Sequence, residues 1–259
     1  MIKLYFKYAS MLVKTQMEYK KAFILSVIAQ IITSFFSVIS IYFLFNKFGN
    51  IKGYSFEDVL ICYIVSFFGY AITECLFRGF DDFDRLLSNG KFDRMLITPR
   101  PLLLQVLGSQ LKLSKIGRMF LSTITLIILL IIRPDLLAID KFITIILMIV
   151  VTIILYAGLF ILKAGICFFT TQSLEIMNIF TDGTRDLAQY PLDIYADPII
   201  KFFTFVIPIT MVNLYPLQYI IGRTDNKLYI IAPLVTIIMM IPCLMVWKIG
   251  VKKYQSIGS

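Results

Sequence analysis

The chain has 259 residues, of which 59% are hydrophobic and only 16% charged, and its mean hydropathy is +0.84. Soluble domains carry roughly 45–50% apolar and about 25% charged residues, so the composition excludes a soluble globule. It also has 0 His, which removes imidazole bases, His-dependent triads and His-ligated metals. The net charge of +9 is expected from basic loops facing anionic lipid, not from nucleic-acid contact.

Residues 1–21 precede the first long apolar run and are too polar to be a cleavable signal. Lys3, Lys7, Lys14 and Lys21 share one helical face with Tyr5, Leu12 and Tyr19 opposite, which predicts an interfacial helix. Apolar runs of the length that crosses a hydrocarbon core follow at 22–45, 59–77, 116–132, 142–162 and 228–247. Between them, 174–195 is apolar but carries Asp182, Arg185 and Asp186, and 199–221 is apolar but interrupted by Pro208 and Pro216. Cys62, Cys75, Cys167 and Cys243 sit in or beside these runs without CxxC spacing, as small buried hydrophobes.

Loop charges arbitrate between the two ambiguous segments. Five basic residues precede the first span, and eight (Arg78, Arg85, Lys91, Arg94, Arg100, Lys112, Lys115, Arg118) lie between the second and third. These belong inside, together with Lys248, Lys252 and Lys253 of the tail, while the sparsely charged loops at 46–58 and 133–141 belong outside. Both ends inside requires an even number of crossings. The expectation is an all-α membrane protein of six transmembrane helices, with 174–195 as the fifth span and 199–221 as an outer re-entrant helical element before the last span, because each proline breaks the helix. A kinked full span at 199–221 is the alternative.

The longest polar stretch is the inner segment 78–115. Phe80, Phe83, Leu86 and Leu87 recur at helical spacing among Asp81, Asp82, Asp84 and Arg85, Asn89 and Gly90 end that helix, and Pro99 and Pro101 bracket Arg100. A stiff, amphipathic element of this kind is suited to gripping a soluble partner, unless it merely rests on lipid.

The run GKFDRMLITPRPLLLQVLG (90–108) resembles the inner signature of ABC-2 type transporter permeases, the membrane subunits of certain ATP-binding cassette exporters. RDLAQYPLDIY (185–195) and FFTFVIPITMVNLYPLQYIIGR (202–223) resemble the same family's later segments. The resemblance implies one permease domain over 1–259 in a bacterial plasma membrane, a cytoplasmic coupling helix, a second permease subunit, identical or related, and two P-loop ATPase subunits. ATP and Mg would sit on that ATPase, with no cofactor on this chain, which has no GxxxxGK[ST] window. The coupling contacts expected are Phe80, Phe83, Asp84, Leu87, Gly90, Phe92, Asp93, Arg94, Pro99 and Pro101, with the aromatic residues as anchors. The translocation path is expected along Asp182, Arg185, Asp186, Pro208, Asn213 and Pro216, where Arg185 can close on Asp182 at i−3 while Asp186 points away. Ile97 and Thr98 depart from the more polar stretch usual before the proline.

Two other readings compete. The aspartates at 81, 82, 84, 182 and 186 resemble the paired carboxylates of Mg-dependent intramembrane prenyl- or phosphotransferases, although the two groups fall on different levels of the topology. A secondary carrier would mark its path with intramembrane charge, but Glu74, Lys163 and Glu175 lie near span ends, where snorkelling explains them.

Overall fold

The computed structural model describes residues 2–170 and 175–255, including every side chain there except those of residues 2–4 and 6. An N-terminal helix α1 (Ile2–Glu18) turns at Tyr19 into α2 (Lys20–Phe48). The second long helix, α3 (Phe56–Leu76), starts at a Ser55–Asp58 capping box that satisfies two orphan donors at once. Four short helices follow, α4 (Arg78–Asp81), α5 (Phe83–Ser88), α6 (Lys91–Leu96) and α7 (Leu102–Leu107), before α8 (Ile116–Ile132) and the 32-residue α9 (Ile139–Thr170). After α9 come α10 (Ile176–Asn178), α11 (Thr184–Leu187), α12 (Asp197–Phe205), α13 (Ile209–Val212), α14 (Leu214–Ile220), α15 (Leu228–Ile231) and α16 (Met240–Lys253). A 3-10 stretch, Ala232–Met239, joins the last two. The chain is an all-α membrane protein, with five helical stretches among the described residues long and apolar enough to cross a bilayer.

Helix α3 is the centre of the bundle, buried along most of its length against α8 and α9, while α16 packs along α9 and α2 along α8. Small residues permit these approaches. A Cβ on Gly69 would stand 2.6 Å from Thr152 of α9, and one on Gly117 would overlap the Val27 carbonyl of α2. Close backbone approach through small residues is the usual way membrane helices associate, since lipid offers no hydrophobic drive between them.

The two ends of the bundle are distinct. At one end lie the turn at Ile51–Tyr54, the Arg133–Ile139 connection and Arg223; at the other lie α4 to α7, α1 and the end of α16. We call these the loop end and the basic end. The termini share the basic end, since Arg100 reaches the Tyr8 hydroxyl at 2.5 Å and the Tyr254 hydroxyl donates to Asp93 at 3.0 Å.

The stretch expected as the fifth span is not one long helix, and its first residue, Leu174, lies outside the described residues. It is helical only over 176–187, including a π turn at Ile179–Gly183, a rise of about 18 Å at 1.5 Å per residue. It runs nonetheless from one end of the bundle to the other. Asn178 bonds Lys163 at the basic end, and Asp193, fifteen residues on, takes the Tyr54 hydroxyl at 2.7 Å and Lys52 at 2.6 Å at the loop end. Beyond Leu187 the path to the loop end is completed by irregular backbone around Pro191 and a short 3-10 turn at Leu192–Ile194. Its freed Ala188 carbonyl is satisfied inside the protein by Ser66 and Asn213, as the absence of water in a bilayer demands.

The pair α12 and α13–α14 bends by 85° at Pro208. It begins at the loop end after Asp193 and returns there, where the Tyr219 hydroxyl donates to Asp140 at 2.7 Å and Arg223 to the Lys52 carbonyl at 3.0 Å. The segment 199–221 thus leaves and rejoins the same end of the bundle. At the bend the Thr210 hydroxyl bonds the Phe203 carbonyl at 3.0 Å and Thr204 at 2.9 Å, replacing ladder partners lost at Pro208.

Candidate functional site

Helices α4 to α7 form a platform at the basic end. Phe83 packs at ring-centre distances of 5.2 Å from Phe92, 5.1 Å from Phe168 and 5.1 Å from Trp247, and Phe80 lies 5.4 Å from Trp247. Phe83 and Phe92 are 0% exposed, Leu87 1% and Phe80 2%. These residues were expected as anchors for a partner; within this chain their apolar face is covered by α9 and α16, because a short helix lying on the bundle gains most by covering the ends of its neighbours. Gly90 makes the α5–α6 turn with φ +64°. Gln105 donates to the Met95 and Arg100 carbonyls at 3.1 and 3.0 Å, fixing the loop that holds the exposed Pro99 and Pro101. Asp84 and Asp93 are half-buried, Asp93 holding the Tyr254 hydroxyl. Facing outward are Arg85, Ser88, Asn89, Lys91, Arg94, Leu96 and Ile97, the last two 41% and 84% exposed.

Gly79 lets α4 lie directly on α7, since a Cβ there would overlap the Val106 carbonyl. Backbone cannot yield as a side-chain tip can. Gly79→Val is therefore expected to lift the platform, read as new protease cleavage within 78–108 while α9 and α16 stay protected.

A polar seam runs from this platform into the bundle. Asp81 joins Arg78 of its own helix and Lys163 of α9 at 2.6 Å, and Lys163 also donates to Asn178 at 3.0 Å. Glu74 of α3 takes Lys115 at 2.9 Å and Arg118 at 3.0 Å, and Arg118 reaches Gln30 of α2 at 3.1 Å. Nearer the middle, Arg185 holds Asp182 at 2.9 Å and Asp186 at 2.8 Å, and its guanidinium stands 4.9 Å from the Tyr70 ring centre and 5.4 Å from that of Phe67. Arg118 covers Phe67 at 5.7 Å. The expectation that Asp186 points away is thus corrected, because the long guanidinium forks to both carboxylates. Counting Arg78–Asp82 as well, five basic and five acidic side chains of the described residues neutralise one another, as intramembrane charge must.

Sequence reasoning assigned Glu74 and Lys163 to snorkelling and passed over Gln30, Lys115, Arg118 and Asn178. The available signal was charge complementarity between spans. The seam also brings the aspartate groups closer than their loop positions implied, since Asn178, one turn before Asp182, shares Lys163 with Asp81. Yet Asp81, Asp82, Asp182 and Asp186 already have cations, and among the described residues no group of three His, Cys, Asp or Glu side chains is placed to hold a metal ion.

A platform mounted under a neutralised bundle with a bent helical hairpin can be compared with known proteins. The family model described as "ABC-2 family transporter protein" matches residues 29–258. The chain belongs to the ABC-2 transporter family. No curated protein and no solved structure matches it. An ABC-2 permease is a membrane transport subunit and not itself an enzyme, and membership implies an ATP-binding partner in general.

In this permease the other expected path residues serve the hairpin. Pro208 breaks it, Pro216 is buried in α14, and Asn213 is 1% exposed and donates to the Ala188 carbonyl. Three joined apolar clefts separate the hairpin from the last span. One of about 600 Å³ lies against Met211, Tyr215 and Val235, one of about 430 Å³ against Met211, Val235 and Met239, and one of about 340 Å³ against Phe180, Ile207 and Met239. At the loop end, Arg133 and Lys141 hold the Asp135 carboxyl well below the usual carboxylate range, and burial followed by the Asp193 hydrogen bond pushes the Tyr54 hydroxyl up.

Proposed function

We propose that this permease moves an amphipathic or hydrophobic compound outward across a bacterial plasma membrane, driven by two separate P-loop ATPase subunits, which carry ATP and Mg, docking under 78–108. A second permease subunit, identical or related, completes the complex, and the basic end is cytoplasmic. The observation that carries the reading is the platform itself. Its apolar face is locked into the bundle, so it moves with α9 and α16, and its outer face offers basic side chains around an exposed aliphatic patch of Leu96 and Ile97, of which Ile97 is the barest. The apolar clefts support an apolar cargo, since their lining has no charged side chain.

Ile97→Asp and Arg94→Glu together are expected to abolish copurification with the cognate ATPase and leave the bundle folded, because a central apolar residue carries binding while rim charge tunes encounter. Full retention of the ATPase would reject docking on this face. Sidedness follows from single cysteines: Asn50 and Asn226, exposed at the loop end, are expected to react with an impermeant thiol reagent added to intact cells, and Asn89 only after lysis.

A further inference from the structure

We infer that Lys163 is the positioning residue through which displacement of the platform reaches the fifth crossing, an assignment that rests on the ATPase-driven reading above. Its ammonium group, in a side chain 8% exposed, joins three separate elements: Asp81 of the platform at 2.6 Å, its own span α9, and Asn178 of α10 at 3.0 Å. The other buried cluster is differently wired. Glu74, Lys115, Arg118 and Gln30 tie together only α2, α3 and the start of α8, so they brace spans and do not touch the platform. Lys163 therefore stands where a movement of α4 must either carry Asn178 with it or break one of the two buried bonds of the lysine, the ionic one to Asp81 or the hydrogen bond to Asn178.

Asn178 is also where such a movement has most effect. It immediately precedes the π turn Ile179–Gly183, and the Arg185 clamp on Asp182, Asp186 and Tyr70 follows within two turns. A π turn is one residue out of register with an α-helix and converts to it by a local shift. Pulling on Asn178 shifts that register and turns the seam-facing side chains of the crossing. The arrangement also tolerates loss of the lysine, because Asp81 keeps Arg78 as a partner.

The test uses the full permease with its cognate ATPase and an Ile179→Cys reporter, Ile179 being 62% exposed and the native cysteines Cys62, Cys75, Cys167 and Cys243 buried. The maleimide reaction rate at this cysteine is compared without nucleotide and after trapping with ATP and orthovanadate. The expected change is about fivefold or more, the lower range for energetic coupling between sites. Lys163→Met is expected to flatten it while ATPase copurification and ATP hydrolysis persist, Asn178→Leu to do the same without touching the buried charge, and Lys163→Arg to retain it. A full nucleotide-dependent change in Lys163→Met or in Asn178→Leu, with ATPase bound, overturns the role of Lys163. Absence of ATPase from the unmutated preparation instead overturns the reading on which it rests.

Discussion

Glu74→Ala is expected to destabilise the permease by about 3–5 kcal/mol, the range for removing one partner of a buried ion pair. Glu74 is 5% exposed, and it neutralises Lys115 and Arg118, themselves 6% and 8% exposed. Removing the carboxylate leaves Lys115 without an anionic partner among the described residues and Arg118 with the Gln30 amide oxygen and the Phe67 ring face. The penalty is the uncompensated desolvation of two cations, so the triple substitution of Glu74, Lys115 and Arg118 by leucine is expected to recover most of the loss. Thermal midpoints of the detergent-solubilised variants measure both effects. A midpoint for Glu74→Ala equal to that of the unmutated protein would mean that the cluster is hydrated, and the seam would lose its bracing role.

Phe83→Ala is the second large effect, about 3–5 kcal/mol, as for other fully buried aromatic truncations. The ring fills the space between Phe92, Phe168 and Trp247, and alanine leaves a hole that α9 and α16 cannot close without moving. Trp247 is the single tryptophan of the chain, so its emission reports on the site directly. A red shift on Phe83→Ala, with faster amide exchange over 78–108, is the expected outcome, and Phe83→Leu should do less. Unchanged emission would place Phe83 outside the packing that mounts the platform. The same variant separates the observed role from the expected one: an anchor inserted in a partner would disturb Trp247 only in the complex, whereas a residue packed within the chain disturbs it in the permease alone.

The contrast between Phe83 and Ile97 shows what periodicity can convey. The spacing of Phe80, Phe83, Leu86 and Leu87 specifies an amphipathic helix with an apolar face, and the structure has helices there. It does not say what the face meets. A partner groove and the ends of α9 and α16 reward the same residues equally, since apolar burial is not directional. The exposed Ile97, which in sequence stood only as a departure from the family pattern, becomes the informative residue once the others are known to be covered.

The sequence by itself determined the class, the long spans and the ends to which they point. Apolar runs of sufficient length must become helices in a bilayer, because backbone donors and acceptors have no other partners there, and the clustering of Lys and Arg groups residues 1–21, 78–118 and the tail at one end. Pro208 likewise announced a broken element before the last span, whereas Pro216 sits within the first turn of α14 without bending it. Tertiary structure decided three things. It showed that the segment expected as the fifth span is half helix and half irregular backbone, because the Ser66 hydroxyl and Asn213 amide supply partners for the Ala188 carbonyl from elements far away in the chain. It showed that 199–221 returns to the end it left, through Tyr219–Asp140 and Arg223–Lys52, contacts across 79 and 171 residues of sequence. And it assembled the seam, in which Glu74, Lys115 and Arg118, or Asp81, Lys163 and Asn178, meet from separate helices. Each of those charges, read alone, is a residue near a span end. Their neutralisation is a property of how the helices pack, and a one-dimensional pattern holds no record of which distant charge will stand within 3 Å of another.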